Sequence, residues 1–238
     1  EGEAGIGKTS LLGALRDALP RGGRLLIGAC DPLSTPRPLG PIVDVAEALD
    51  PTLARLIAAG GSRGDVMPTL LAALRATPGL VLCLDDLHWA DEATLDAIRF
   101  VGRRIASAPA LVIGTYRDDE VGSDHPLRVV VGDLATSPAV SRLPLRALSP
   151  ASVRELAAGS MLDPDEVHRL TGGNPFFVTE VIAGVPARLP PTVRDAVLAR
   201  AARLSPAARA TPEPAAVIGA VVEPGLLISV VDPVAADE

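Results

Sequence analysis

The chain has 238 residues, 48% of them hydrophobic, with a formal net charge of −7 and only 2% aromatic residues. An acidic balance of this size argues against a basic stripe that would neutralise nucleic-acid phosphates. No uninterrupted apolar run is long enough to cross a bilayer, and no secretory leader opens the sequence. A core with so few rings must be built from Leu, Val, Ile and Ala. The two cysteines, Cys30 and Cys83, lie in separate apolar stretches and read as buried free thiols of a cytoplasmic protein.

In chain order, the first segment is Gly2-Glu3-Ala4-Gly5-Ile6-Gly7-Lys8-Thr9, followed by Ser10. Leu11, Leu12, Leu15, Ala18 and Leu19 recur at helical spacing until Pro20-Arg21-Gly22-Gly23 ends the helix. Leu25 to Ala29 predicts a buried strand, and the proline-rich 31–41 stretch a loop. Helices are expected at about 41–50, 51–59 and 65–76. Leu80 to Leu84 predicts a second strand, running into Asp85-Asp86. Residues 91–106 read as an amphipathic helix, 110–116 as a third strand ending at Arg117, 125–135 as a helix and 140–145 as a fourth strand. Strands alternating with helices over this length imply an α/β fold, a parallel sheet flanked by helices.

From Ser149 the apolar strand runs stop. Ser149-Pro150 and Asp163-Pro164 each pair a capping side chain with a proline suited to the first helical position. Gly172-Gly173 precedes another helix, from Asn174 or Pro175 to about Ile182. Residues 186–191 resemble a linker, and 192–204 form a further amphipathic stretch. The organisation expected from these patterns is a core over 1–147, a set of short helices over 148–185 and an incomplete segment over 186–238.

Lys8 is the only lysine among the 22 basic Lys and Arg residues. Elsewhere arginine serves, so this position requires a compact ammonium on a flexible stem. The segment 2–9 satisfies GxxxxGK(S/T), a loop whose backbone N–H groups turn around nucleotide phosphates. In that arrangement Lys8 reaches the β/γ oxygens, the Thr9 hydroxyl faces Mg²⁺, and the following helix adds its dipole. The acids closing the second strand supply a metal-side carboxylate, Asp85, and a water-side carboxylate, Asp86. Arg117, at the end of a neighbouring strand, is a candidate γ-phosphate sensor, although Asp118, Asp119 and Glu120 are equally available to pair with it. His88 reads as packed or hydrogen-bonded, Trp89 as a packing anchor, and His125 and His168 as ordinary helical residues. Because the loop opens at residue 1, the strand that feeds it is expected in a longer polypeptide.

Taken together, GEAGIGKT (2–9), CDPLSTPRPLGP (30–41), LDDLHWAD (84–91), GTYRDDE (114–120) and GGNPFFVTEV (172–181) resemble one family. It is the ATPase domain of large LuxR-type transcriptional regulators, among the signal-transduction ATPases with numerous domains. The likeness spans nearly all of 1–205, with the tail from Thr211 fitting loosely. The resemblance implies a P-loop NTPase fold lacking its first strand. It makes Asp85 and Asp86 the Walker B pair, Arg117 the sensor arginine, 148–185 a helical lid with Asn174-Pro175 near the nucleotide, and 186–238 a partial winged-helix-like segment that begins with 192–204. It further implies ATP/ADP and Mg²⁺ as cofactors, slow hydrolysis as a regulatory switch, and self-association of the full-length protein under an inducer. It implies no DNA contact by this segment, and no membrane. The alternative reading of the same phosphate loop is a metabolic kinase acting on a small molecule.

Overall fold

The computed structural model describes residues 1–33 and 35–184. The linker at 186–191, the amphipathic stretch at 192–204 and the winged-helix-like segment therefore lie outside the described residues. Contacts divide the chain into two compact units, 1–146 and 147–238, each with its own core.

In the first unit the phosphate loop runs into α1 (Lys8–Ala18), followed by β1 (Arg24–Ala29), α2 (Gly40–Leu49), α3 (Pro51–Ala58) and α4 (Arg63–Ala76). Then come β2 (Leu80–Asp85), α5 (Glu92–Gly102), β3 (Ala110–Gly114) and α6 (Pro126–Leu134). The three strands form one parallel sheet in the order β1-β2-β3, so β2 is central. Its first five residues, Leu80 to Leu84, are all buried. That continuous apolar run is what a parallel strand covered on both faces requires. Register sets Asp85 opposite Ala29 and Leu84 opposite Gly114, so all three strands finish level and their C-terminal ends make one edge.

Helix α2 packs so closely on β1 that a Cβ at Gly28 would lie 1.8 Å from the carbonyl oxygen of Pro41. Only glycine permits that approach. Ile42, Leu53, Leu74, Leu80 and Leu82 are among the fully buried side chains, which gives the aliphatic core that the composition demanded. Cys30 and Cys83 are free and buried, and burial pushes both thiols up to about 12.

The expected fourth strand at 140–145 does not form. A strand needs a ladder of partners, and this segment has a single parallel rung: Glu1 N donates to Leu143 O at 2.9 Å, and Leu145 N donates to Glu1 O at 2.8 Å. On its other side Gly2 N reaches Tyr116 O at 3.4 Å. The Glu1 carboxylate is further held by Tyr116 Oη and by Arg142, at 2.8 Å from Nη2. Residues 110–116 and 139–145 both line a largely apolar cavity of about 930 Å³, where Leu111 and Leu143 remain more than half exposed.

The helix expected at 91–106 ends at Gly102, with a short 3₁₀ turn at Ile105–Ser107. Asp91 caps α5 by accepting from Ala93 N and Thr94 N.

The second unit contains α7 (Pro150–Leu156), α8 (Pro164–Thr171) and α9 (Pro175–Ala183). Val153, Val167 and Val178 form its centre, with Leu148, Leu162, Val181 and Ile182 packed around them. Ser149 accepts from Ser152 N, Asp163 from Asp165 N and Asn174 from Phe176 N, each with proline at the start of its helix. Gly172, left-handed at φ 58, ends α8.

Candidate nucleotide site

The sheet's C-terminal edge and the start of α1 gather the charged residues of the first unit. Gly5 and Gly7 adopt positive φ, 76 and 97, a region that side chains beyond glycine avoid. Gly7 is the N-cap of α1 and, lacking a side chain, gives no cap bond; the first turn carries no acid. The leading N–H groups of α1 therefore have no side-chain acceptor, and Thr9 and Ser10 are exposed beside them. Ile6 points inward and is buried, anchoring the loop, whereas Glu3 is exposed.

Lys8 folds back over the loop. Its Nζ donates to the carbonyls of Gly2 at 2.6 Å and Glu3 at 2.8 Å. Burial lowers its pKa, Arg117 lowers it further, and Asp86, Asp118 and Asp85 oppose the shift. Asp86 shows the complementary pattern. Burial and then Asp85 hold its carboxyl above the ordinary range, against the pull of Arg117 and Lys8. Lys8, Asp85, Asp86 and Arg117 thus sit in one electrostatic neighbourhood although they span more than a hundred residues of sequence.

Thr115 organises the two acids. Its hydroxyl donates to Asp85 Oδ1 and accepts the Asp86 backbone N–H at 3.0 Å. The backbone of Asp86 is left-handed, at φ 55 and ψ 47, one of two non-glycine residues with positive φ among those described. Aspartate tolerates that region better than most residues, and such strain concentrates at functional positions. On a continuing strand the side chains of Asp85 and Asp86 would point to opposite faces; the turn at Asp86 breaks that alternation.

Arg117 Nη1 lies 2.5 Å from Glu120 Oε1, and its guanidinium stands over the Trp89 ring at 5.1 Å. The pairing with the following acids, one of the two readings, is therefore present, and it sits three-quarters buried. Trp89 packs against the core as expected. His125 is not an ordinary helical residue. Its Nδ1 accepts from Leu127 N as the N-cap of α6, which leaves Nε2 protonated to donate to the His88 carbonyl at 3.1 Å. His168 bonds to the Leu148 carbonyl at 3.1 Å.

Asn174 and Pro175 belong to the second unit, where Asn174 is buried and caps α9 and Pro175 opens it. Sequence reasoning passed over Thr115, and it named Glu120 only as one of three acids that could pair with Arg117. Both stand inside GTYRDDE; the signal was a hydroxyl placed at the sheet edge, between the strand's last residue and the arginine.

The observed loop fits a polyphosphate: left-handed glycines, an unclaimed helix start and one ammonium converge on it. The donor set also fits magnesium carried in by phosphate oxygens. Among the described residues, no group of three or more His, Cys, Asp or Glu is arranged to hold a metal by itself, and magnesium needs only one or two carboxylates beside its phosphate and water ligands.

Residues 1–113, just under half of the chain, match the family model described as the AAA ATPase domain. A search of curated proteins returned no match. Among solved structures, the Aeropyrum pernix ORC1 protein in complex with DNA is similar, with a TM-score of 0.43 and 17% identity over 96% of this chain and 68% of that one. The parallel sheet, the flanking helices and the phosphate loop give the first unit a P-loop NTPase fold, and residues 1–113 are similar in sequence to the AAA ATPase domain.

Proposed function

We propose that the chain binds Mg·ATP at the loop of residues 2–10 and hydrolyses it slowly, as a nucleotide-operated switch in a bacterial LuxR-type transcriptional regulator. The observation that carries the reading is the convergence of Lys8, Asp85, Asp86 and Arg117 on the open start of α1. Bound magnesium supplies a Lewis acid for the phosphate oxygens, with Thr9 and Asp85 as its protein-side partners. The remaining work falls to this chain's own side chains. Gly5 and Gly7 let backbone N–H groups face the phosphates, and Lys8 exchanges its two carbonyl partners for phosphate oxygens. Thr115 holds Asp85 by its Oδ1, leaving Oδ2 to face the ligand. Asp86, whose proton affinity is raised by burial, orients the attacking water and accepts its proton. Arg117 exchanges Glu120 for the γ-phosphate, the group whose presence distinguishes ATP from ADP.

Residues 148–185 act in this reading as a lid, with Asn174 and Pro175 near the nucleotide, and 186–238 as the start of a further domain. Nucleotide state then controls self-association of the full-length protein in the cytoplasm, and this segment makes no DNA contact. The match of 1–113 to an ATPase domain favours this reading over a small-molecule kinase.

Trp89, the sole tryptophan, lies under Arg117 and serves as the reporter. Titration with Mg·ATP should give a saturable change in its fluorescence, followed by slow release of phosphate. A flat titration of the folded chain overturns the nucleotide assignment. Saturable binding without any ATP-dependent change in sedimentation of the full-length protein overturns the switch.

A further inference from the structure

His88 is the buried polar group that the scheme above leaves unused. It lies in the 3₁₀ turn Leu87–Trp89, directly after left-handed Asp86, and its side chain is 1% exposed. Neither ring nitrogen has a hydrogen-bond partner. The ring nonetheless stands between two carboxylates: Nδ1 is 3.9 Å from Asp86 Oδ1, and Nε2 is 3.6 Å from Glu120 Oε2. Both separations are slightly too long for a bond and short enough that a small side-chain movement completes either one. The carbonyl of His88 is pinned by His125 and its ring packs on Trp89, with centroids 4.4 Å apart. The ring is thus held in place, and either bond is completed by a movement of a carboxylate toward it.

Burial pushes the imidazole down to about 4, so at neutral pH it is uncharged. A neutral imidazole carries one N–H and one lone pair. It donates to one carboxylate, and the lone pair it then turns on the other repels that oxygen. Glu120 is also the partner of Arg117, through its other oxygen.

We propose that His88 is a positioning residue that gives its single N–H to Asp86 or to Glu120, never both, and thereby ties the freedom of Asp86 to the engagement of Arg117. This inference rests on the assignment of Asp86 to water and of Arg117 to the γ-phosphate. While Arg117 holds Glu120, the N–H resides on Nδ1 and restrains Asp86. When the γ-phosphate draws Arg117 away, Glu120 takes the N–H on Nε2. The proton leaves Nδ1 and arrives at Nε2 by exchange with water, so the ring's charge is unchanged. The Nδ1 lone pair then turns the Asp86 carboxylate outward to the water it activates. Hydrolysis is in this way coupled to γ-phosphate sensing.

Nitrogen-15 NMR of the His88 ring in the full chain reads the tautomer without any substitution at that residue. The N–H should lie on Nδ1 with Mg·ADP and on Nε2 with a non-hydrolysable Mg·ATP analogue. Arg117→Ala, which removes the arginine from Glu120, should place it on Nε2 even without nucleotide. One unchanging tautomer through all three conditions overturns the proposal. If the tautomer follows Arg117→Ala while no nucleotide binds saturably, the relay stands and the nucleotide reading fails.

Turnover supplies a second readout. His88→Asn keeps a donor near Asp86 and should slow hydrolysis about tenfold or more at unchanged ATP affinity, while His88→Gln, whose amide reaches toward Glu120, should stay near wild type. Equal turnover in the two variants also overturns it, because a purely packing role would not separate them.

Discussion

The start of α1 in the first unit differs from every described helix start in the second. In the second unit every described helix is closed at its start: Ser149, Asp163 and Asn174 each accept a backbone N–H, and each is followed by proline. In the first unit, α1 begins at a bare left-handed glycine with no cap bond and no acid in its first turn. Capping is worth about 1 kcal/mol per helix, so α1 forgoes local stability that the small valine-centred unit takes at each opportunity. The contrast separates two uses of the same backbone geometry. A helix start satisfied by its own side chain holds a fold together, and one left unsatisfied is available to an external anion.

The largest expected effect tests the open start directly. Lys8→Ala should weaken ATP binding on the order of a hundredfold, the loss anticipated for charge-assisted bonds to phosphate, measured calorimetrically. An unchanged affinity erases the distinction between the two kinds of helix start. Next, Asp86→Asn should retain ATP binding and lower turnover about a hundredfold. The same substitution should raise the melting temperature of the nucleotide-free chain at neutral pH. The folded state holds the Asp86 proton more tightly than the unfolded state does, so ionised Asp86 costs stability above its folded pKa. That gain should shrink as the pH falls through the folded pKa, and a gain constant with pH removes the electrostatic account.

A smaller effect concerns the carboxylate scaffold. Thr115→Val removes the acceptor of the Asp86 N–H and the donor to Asp85, and should destabilise the chain by about 1–3 kcal/mol in denaturant titration. Cap removal is milder. Asp163→Ala should cost about 1 kcal/mol while ATP affinity stays constant. Asn174→Ala sharpens the comparison: a loss of ATP affinity beyond the loss of stability assigns this cap to the nucleotide as well, and stability loss alone confines it to its helix. Finally, both cysteines lie in the first unit, buried and fully protonated near neutral pH. Thiol labelling therefore meters the opening of that unit alone and should slow modestly when Mg·ATP is present; faster labelling runs against the comparison.

Much of this was legible in the amino-acid order because its signals are local. The apolar run before Asp85, the Pro-led helix starts and the glycine pattern around Lys8 each state their conformation within a few residues. The 140–145 segment was misread because an apolar extended stretch becomes a strand only when neighbours supply a ladder, and a single rung from Glu1 is all it receives. Helix α5 ends at Gly102, four residues before the apolar periodicity does, and the close approach of Gly102 to Leu134 is a long-range contact invisible in that periodicity. Thr115 and His125 escaped notice for a related reason. Thr115 bonds to Asp85, thirty residues away, and His125 to the His88 carbonyl, thirty-seven away, and threonine and histidine carry no pattern that announces such partners.

The posture of Lys8 has a consequence for selectivity. With its ammonium resting on the oxygens of Gly2 and Glu3, the loop is stoppered by its own cation. An incoming anion must outbid two peptide dipoles before it gains that cation. Chloride or sulfate is poorly equipped for the exchange, and a chain of linked phosphates is well equipped, since it engages the lysine and the helix start together. If the loop binds nucleotide as proposed, the latch would screen for length and charge density ahead of any base or sugar contact.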